Sequence, residues 1–313
     1  MTWGQLTRQS LRQIGKTVFW LLAIMVPASF AVFLLERWGV QTVLAGWLEP
    51  ALRLIGLPGS AAITLVSSFS VNLYAAIATL PTLDLTQRQL VILATFCLIA
   101  HSLIVEVAVT KRTGTPALRM VAVRLIGGMF VAWVLHVVLP TDGAWAQPAT
   151  GLGTITSEGS VPLFEDWLRA TVALVVRISL IVSALVYGTR VLRHIGALDW
   201  ISRRMAPVMG VMGLPRSTAT TWLIANTLGL TYGAGVLIDE VDSGRLSRAD
   251  SDLLNHSLGV AHALLEDTLL FAVLGAPALW LIVPRLIFAS AVVWERRAER
   301  NLLVRLRKAA YRV

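Results

Sequence analysis

Charge is scarce in this chain. Only 14% of its 313 residues are charged, against about 25% in an ordinary soluble domain. Hydrophobic residues make up 56%, and the mean hydropathy is +0.71. That excludes a typical soluble fold. Cysteine is almost missing, and the single Cys97 excludes an intramolecular disulfide. No glycine-rich phosphate loop follows a strand-like run, so no ATP-driven motor is encoded. No nucleophile and base set is recognisable either, and no enzymatic activity is expected. One long stretch, residues 140–168, has no Lys or Arg but holds Asp142, Glu158, Glu165 and Asp166.

What the chain has is apolar runs near the ~20 residues that cross a bilayer as a helix. The expected fold class is an all-α polytopic membrane protein, with the lipid bilayer as its first partner. The net charge of +9 does not imply a nucleic-acid partner, because the basic residues sit in short loops and at both ends, as in the positive-inside pattern. Arg8, Arg12 and Lys16 precede an apolar run that continues past Pro27 to Leu35. That is too long for a signal-peptide core, so the run is read as a retained membrane helix.

The chain repeats itself. Gly56-Leu57-Pro58 returns 157 residues later as Gly213-Leu214-Pro215. His101, Gly114-Thr115-Pro116 and Arg124-Leu125-Ile126 return 161 residues later as His262, Gly275-Ala276-Pro277 and Arg285-Leu286-Ile287. Matching Gly, Pro, His and Arg at a nearly fixed offset are much rarer by chance than matching apolar residues. Each half reads as a membrane helix (16–36; 168–190), an amphipathic segment (40–55; 197–211), a broken apolar segment (59–80; 216–238) and two membrane helices (87–109 and 117–139; 251–271 and 277–295). The division is residues 1–140 as first repeat, 141–167 as extracytoplasmic linker, 168–295 as second repeat and 296–313 as basic tail. If the broken segments are re-entrant hairpins, each half crosses three times and every strongly basic loop falls on the cytoplasmic side. Two halves with odd crossings must be inverted relative to each other. The expected location is the bacterial inner membrane, with both termini cytoplasmic.

The polar residues inside these segments are the site candidates. Asn226, Thr227, Thr231, Tyr232, Gly233 and Gly235 lie in the second broken segment, with Ser68, Asn72 and Tyr74 as the weaker set in the first. Broken helices expose free backbone N–H and C=O groups that can bind a solute or ion, although glycines also permit close helix packing. His262 and Glu266 are spaced i, i+4, hence on one helix face, with Asp267 adjacent. They are read as a polar site or proton relay near a helix end, the alternative being a structural clamp. His101 and Glu106 are the degenerate counterpart, read as structural. Arg124 and Arg285 lie at matched depths. They are read as ion-paired with Glu106 and with Asp267 or Glu266, the alternative being a cationic pair for an anionic substrate. Arg177 has no counterpart, since the matching position is Trp20, and a substrate role and an ion pair stay equally open. Cys97, His101 and His256 form no tight Cys/His cluster, so no metal site is assigned. No cofactor is expected beyond a coupling ion, H+ or Na+.

The Tyr232-Gly233-Ala234-Gly235-Val236 run, Leu246-Ser247, His262-Ala263-Leu264-Leu265-Glu266-Asp267-Thr268 and the Gly275-Ala276-Pro277 turn resemble the Gate family of nucleoside recognition domains. That family includes the spore maturation A and B proteins and the membrane domain of ferrous-iron transporter B. The resemblance covers residues 213–287 and is weaker over the first copy, which has Val105 where the second has Glu266. It implies a core similar to concentrative nucleoside transporters, with paired inverted repeats and re-entrant hairpins. The cysteine of the iron transporter's broken segment is missing from 67–76 and from 226–235. The function expected is a secondary transporter for a small polar solute, nucleoside-like or a small anion, bound between 59–80 and 216–238. A transition-metal ion permease and a non-transporting assembly partner are the alternatives, and a homo-oligomer or a second membrane subunit stays open.

Overall fold

The computed structural model describes residues 3–38, 40–149, 163–227 and 229–310, and the described residues form helices with no β-strand. The first half holds α1 (Trp3–Arg37), α2 (Val40–Arg53), α3 (Ala62–Ser70), α4 (Leu73–Thr79), α5 (Gln87–Ala100), α6 (Leu103–Arg112) and α7 (Ala117–Val138). The second holds α8 (Leu163–His194), α9 (Ala197–Val211), α10 (Ala219–Thr227), α11 (Gly229–Asp242), α12 (Arg248–Leu258), α13 (Glu266–Ala272) and α14 (Ala278–Ala310). Four stretches among the described residues are long and apolar enough to cross a membrane: Gln87–Arg112, Ala117–Val138, Trp167–His194 and Ala278–Leu306. On two of these stretches burial is the reverse of a soluble protein's. Leu118, Ile126, Leu279 and Ile287 face outward on α7 and α14, while Arg124 and Arg285 on the same helices are fully buried.

Both segments expected to be broken are broken. The first splits at Val71 and Asn72, and the Asn72 side chain caps α4 by accepting from the Ala75 N–H at 2.9 Å. The second splits before Gly229, whose φ of +74° suits a residue without a Cβ. The helices expected at 87–109 and 251–271 are not continuous, however. The first stops at His101, where the backbone is extended, and Ser102 has φ +50°. The second stops at Leu258, and Ala263 in the linker before α13 has φ +45°. Hydrogen bonds across the fold fix both breaks. The Ser102 N–H donates to Ser68 O at 2.8 Å, and the Ala263 N–H donates to Ala225 O at 3.1 Å. An N–H left over by an interrupted helix is thereby satisfied by the carbonyl of a broken segment.

The loops gather at two ends of the molecule. At one, the Gln89 side chain reaches Gly56 O, Arg88 reaches Leu139 O, and the Ala149 N–H donates to Leu85 O. At the other, Arg112 pairs with Asp242, Arg119 with Glu295 and Glu299, and Gly213 lies against Val293 and Trp294. Each broken segment therefore leaves and re-enters on one end. Two helix pairs run antiparallel. On α1 and α8, Trp3 packs on His194 and Phe33 on Phe164. On α7 and α14, Arg119 pairs with Glu295 while Phe130 packs on Phe288. Gly127 lets those two helices close, because a Cβ there would sit 2.4 Å from the Phe288 ring.

Candidate functional site

The two helix breaks carry histidines to one point. The Nδ1 of His101 lies 3.1 Å from Cys97 O, and the Nδ1 of His262 lies 2.7 Å from Leu258 O. A carbonyl oxygen only accepts, so both Nδ1 atoms carry the hydrogen. Both Nε2 atoms then point inward, 3.2 Å apart. Glu106 Oε1 is 3.3 Å from each of them, and Asp267 Oδ2 is 3.6 Å from His101 Nε2. His101, Glu106, His262 and Asp267 are all buried. The contacts are reciprocal: Glu106 faces His262, and Asp267, which lies 161 residues after Glu106, faces His101.

Two arginines support this group. Arg124 Nη1 pairs with Glu106 Oε2 at 2.7 Å, and its Nε and Nη2 each donate at 2.7 Å to Ile99 O and His101 O. It therefore holds both the carboxylate and the carbonyls of the α5 break. Arg285 donates to Thr268 Oγ1 at 2.5 Å and to Leu281 O at 2.7 Å. Glu106 Oε1 and Asp267 Oδ2 make no hydrogen bond among the described residues. A buried carboxylate oxygen in that position is costly unless something else binds it.

The ion-pair reading holds for Arg124. Arg285 instead bonds Thr268, with no carboxylate oxygen within 4.0 Å among the described residues. The reading of His262 and Glu266 on one helix face is corrected, because His262 lies in the linker and α13 begins only at Glu266. Glu266 turns to the first half and accepts from Tyr74 Oη at 3.0 Å. His101 and Glu106, read as structural, lie in the same group as His262. Arg177 interacts with other groups of the structure. His256 stands apart from Cys97 and His101. Its Nε2 accepts from Arg119 at 2.7 Å in a second buried group built on Asp252, Thr115, Asn255 and Arg296. The Asp252 group was not foreseen; the polar run Asp252, Asn255 and His256 in one expected membrane helix was its signal.

The broken-segment candidates divide. Asn226 is buried, its Nδ2 donates to Trp222 O at 2.9 Å, and its Oδ1 has no hydrogen-bond partner among the described residues. Thr227 donates back to Leu223 O at 2.8 Å. Gly233 packs on Ala225, where a Cβ would come within 2.7 Å, while Gly235 has open space. Ser68 is buried with its carbonyl on Ser102, and Asn72 serves as the α4 cap. The side chains of Thr231 and Tyr232 lie outside the described residues, as do 150–162 of the linker and 311–313 of the tail. A cavity of about 20 Å³ lies beside Glu106, lined by Thr110, Ala225, Gly233, Asn255 and Gly259 among others.

Comparison with known proteins gives two matches. The Gate family, described as nucleoside recognition, matches residues 18–116. That span lies in the first half, whereas the motif resemblance had pointed to 213–287. The uncharacterized membrane protein YvoD of Bacillus subtilis (strain 168) is 32% identical over 301 residues, covering 92% of each chain. No solved structure matches.

Proposed function

The chain belongs to the Gate family of membrane proteins, and from that premise we propose that it is a secondary transporter of the cytoplasmic membrane. Its solute would pass between the two broken segments as one half rocks against the other. One observation carries this: six ionisable side chains, His101, Glu106 and Arg124 from one half and His262, Asp267 and Arg285 from the other, are buried at or near the helix breaks that hydrogen-bond the two broken segments. Ionisable groups inside a membrane are costly and mark ion or solute paths by default.

The inverted-repeat reading draws support from the reciprocal contacts. His101 touches His262, its own counterpart, and Gly127 meets Phe288, which lies 161 residues on. Residues that meet their counterparts lie on a two-fold axis, as in an isologous interface. Antiparallel α1 and α8 support the same reading. The end that holds Arg112, Arg119, Arg245, Arg296 and Arg300 would be cytoplasmic, and both termini with it.

A nucleoside-like solute or a small anion would need this site to open. Small-molecule pockets usually run to about 300–1,000 Å³, and the cavity beside Glu106 is about 20 Å³. Passage of a metal ion, the second reading, is favoured by that size, since about 10–15 Å³ already admits one water. The purified chain in proteoliposomes tests transport: nucleosides, small anions and divalent metal ions are offered under pH and Na+ gradients. Flux of any class above empty vesicles is expected, and no flux of all three would contradict the proposal.

A further inference from the structure

We infer that His101 Nε2, His262 Nε2 and Glu106 Oε1 form a binding site for one divalent transition-metal ion. In the role of cargo, this ion would deepen the permease reading and rest on it; as a binding site, it stands alone.

The spacing is the first argument. The three ligand atoms form a nearly equilateral triangle with edges of 3.2, 3.3 and 3.3 Å. In a tetrahedral site with metal–ligand distances of about 2.0–2.1 Å, neighbouring ligand atoms stand about 3.3–3.4 Å apart. The triangle is one face of such a tetrahedron. Asp267 Oδ2 lies 3.6 Å from His101 Nε2, outside that face, and the remaining position is left to water or another exogenous ligand.

The second argument is what orients the ligands. A metal-binding histidine almost always donates its other ring N–H to a carbonyl, carboxylate or water. Both histidines do so, to Cys97 O and Leu258 O, which leaves both Nε2 lone pairs directed at one point. Two lone pairs 3.2 Å apart repel unless a proton or a cation lies between them. Glu106 divides its oxygens, Oε2 to Arg124 and Oε1 to the triangle.

The third argument selects a metal over a single shared proton. A proton between the two rings would satisfy only the nitrogens. Glu106 Oε1 would stay buried without a hydrogen bond. One cation inside the triangle binds that oxygen and both nitrogens together. Two imidazoles and a carboxylate suit Zn2+ or Fe2+ and their neighbours, and no thiolate is present to select Cu(I). Cys97 is buried but contributes only its carbonyl to His101.

The test is equilibrium binding to the purified full-length chain in detergent, with no gradient. Co2+ should bind at one ion per chain, give the visible spectrum of a four- or five-coordinate site, and be displaced by Zn2+. Cu2+ loaded into the wild type should show two imidazoles by pulsed electron paramagnetic resonance, a readout that needs no variant. H101Q, H262Q and E106Q should each weaken Co2+ binding by at least about 100-fold, beyond the roughly 10- to 100-fold of an outer-shell change. C97S and H256Q should bind as the wild type does. Wild-type affinity no better than that of the H101Q/H262Q double variant, or fewer than two imidazoles on bound Cu2+, would overturn the site. Metal binding without flux of any solute would sink the permease reading alone, and solute flux without metal binding would sink the site alone.

Discussion

At the scale of single residues, the cluster is held by one strong ion pair and several weaker bonds. Arg124 is fully buried, and its partner Glu106 nearly so. Removing one member of a buried pair leaves an uncompensated charge and costs about 3–5 kcal/mol. R124M should therefore lower unfolding stability in detergent by that order, and the R124M/E106L double variant should regain part of the loss, as a coupled pair does. If the two single effects simply add, the pair is not the unit described here. Much at this scale was legible in the chain. His101, His262, Arg124 and Arg285 stand out as polar groups repeated at one offset in apolar surroundings. What was not legible was which of them touch. The i, i+4 spacing of His262 and Glu266 suggested a shared helix face, but the helix ends first, and the acid facing His262 is Glu106, from the other half.

At the scale of the elements, the site exists because two helices stop early. Ser102 and Ala263 both take positive φ, at +50° and +45°. The left-handed region costs a residue with a Cβ roughly 1–2 kcal/mol. S102G and A263G should leave thermal stability unchanged or raise it, while S102V and A263V should lower it. Destabilisation by the glycines as well would mean that the side chains, not the backbone, hold the breaks. N72A should cost about 1 kcal/mol through loss of the α4 cap, measurable as a lower unfolding temperature. Little in the residue types announced these breaks. Gly259 follows α12, but Ser102 and Ala263 are unremarkable in an apolar helix, so 87–109 and 251–271 read as continuous. The Asn72 and Gly229 breaks were legible because Asn caps helices and Gly interrupts them.

At the scale of the whole molecule, the account rests on two halves inserted in opposite senses. Charge pattern and repeat offset suggested this before any contact was known. The proposal of inverted halves rests on the reciprocal contacts across His101 and His262, the antiparallel helix pairs and the two loop ends. The basic end gathers Arg112, Arg119, Arg245, Arg296 and Arg300, while the opposite end holds Arg88 and residues 140–149, the latter without Lys or Arg. The proposed orientation rests on that asymmetry. The most direct measurement is single-cysteine labelling of intact cells on a C97A background, at Gln147 and at Arg305. The account predicts that an impermeant reagent labels Gln147→Cys in intact cells and reaches Arg305→Cys only after the membrane is opened. Labelling of both positions from the same side would contradict it.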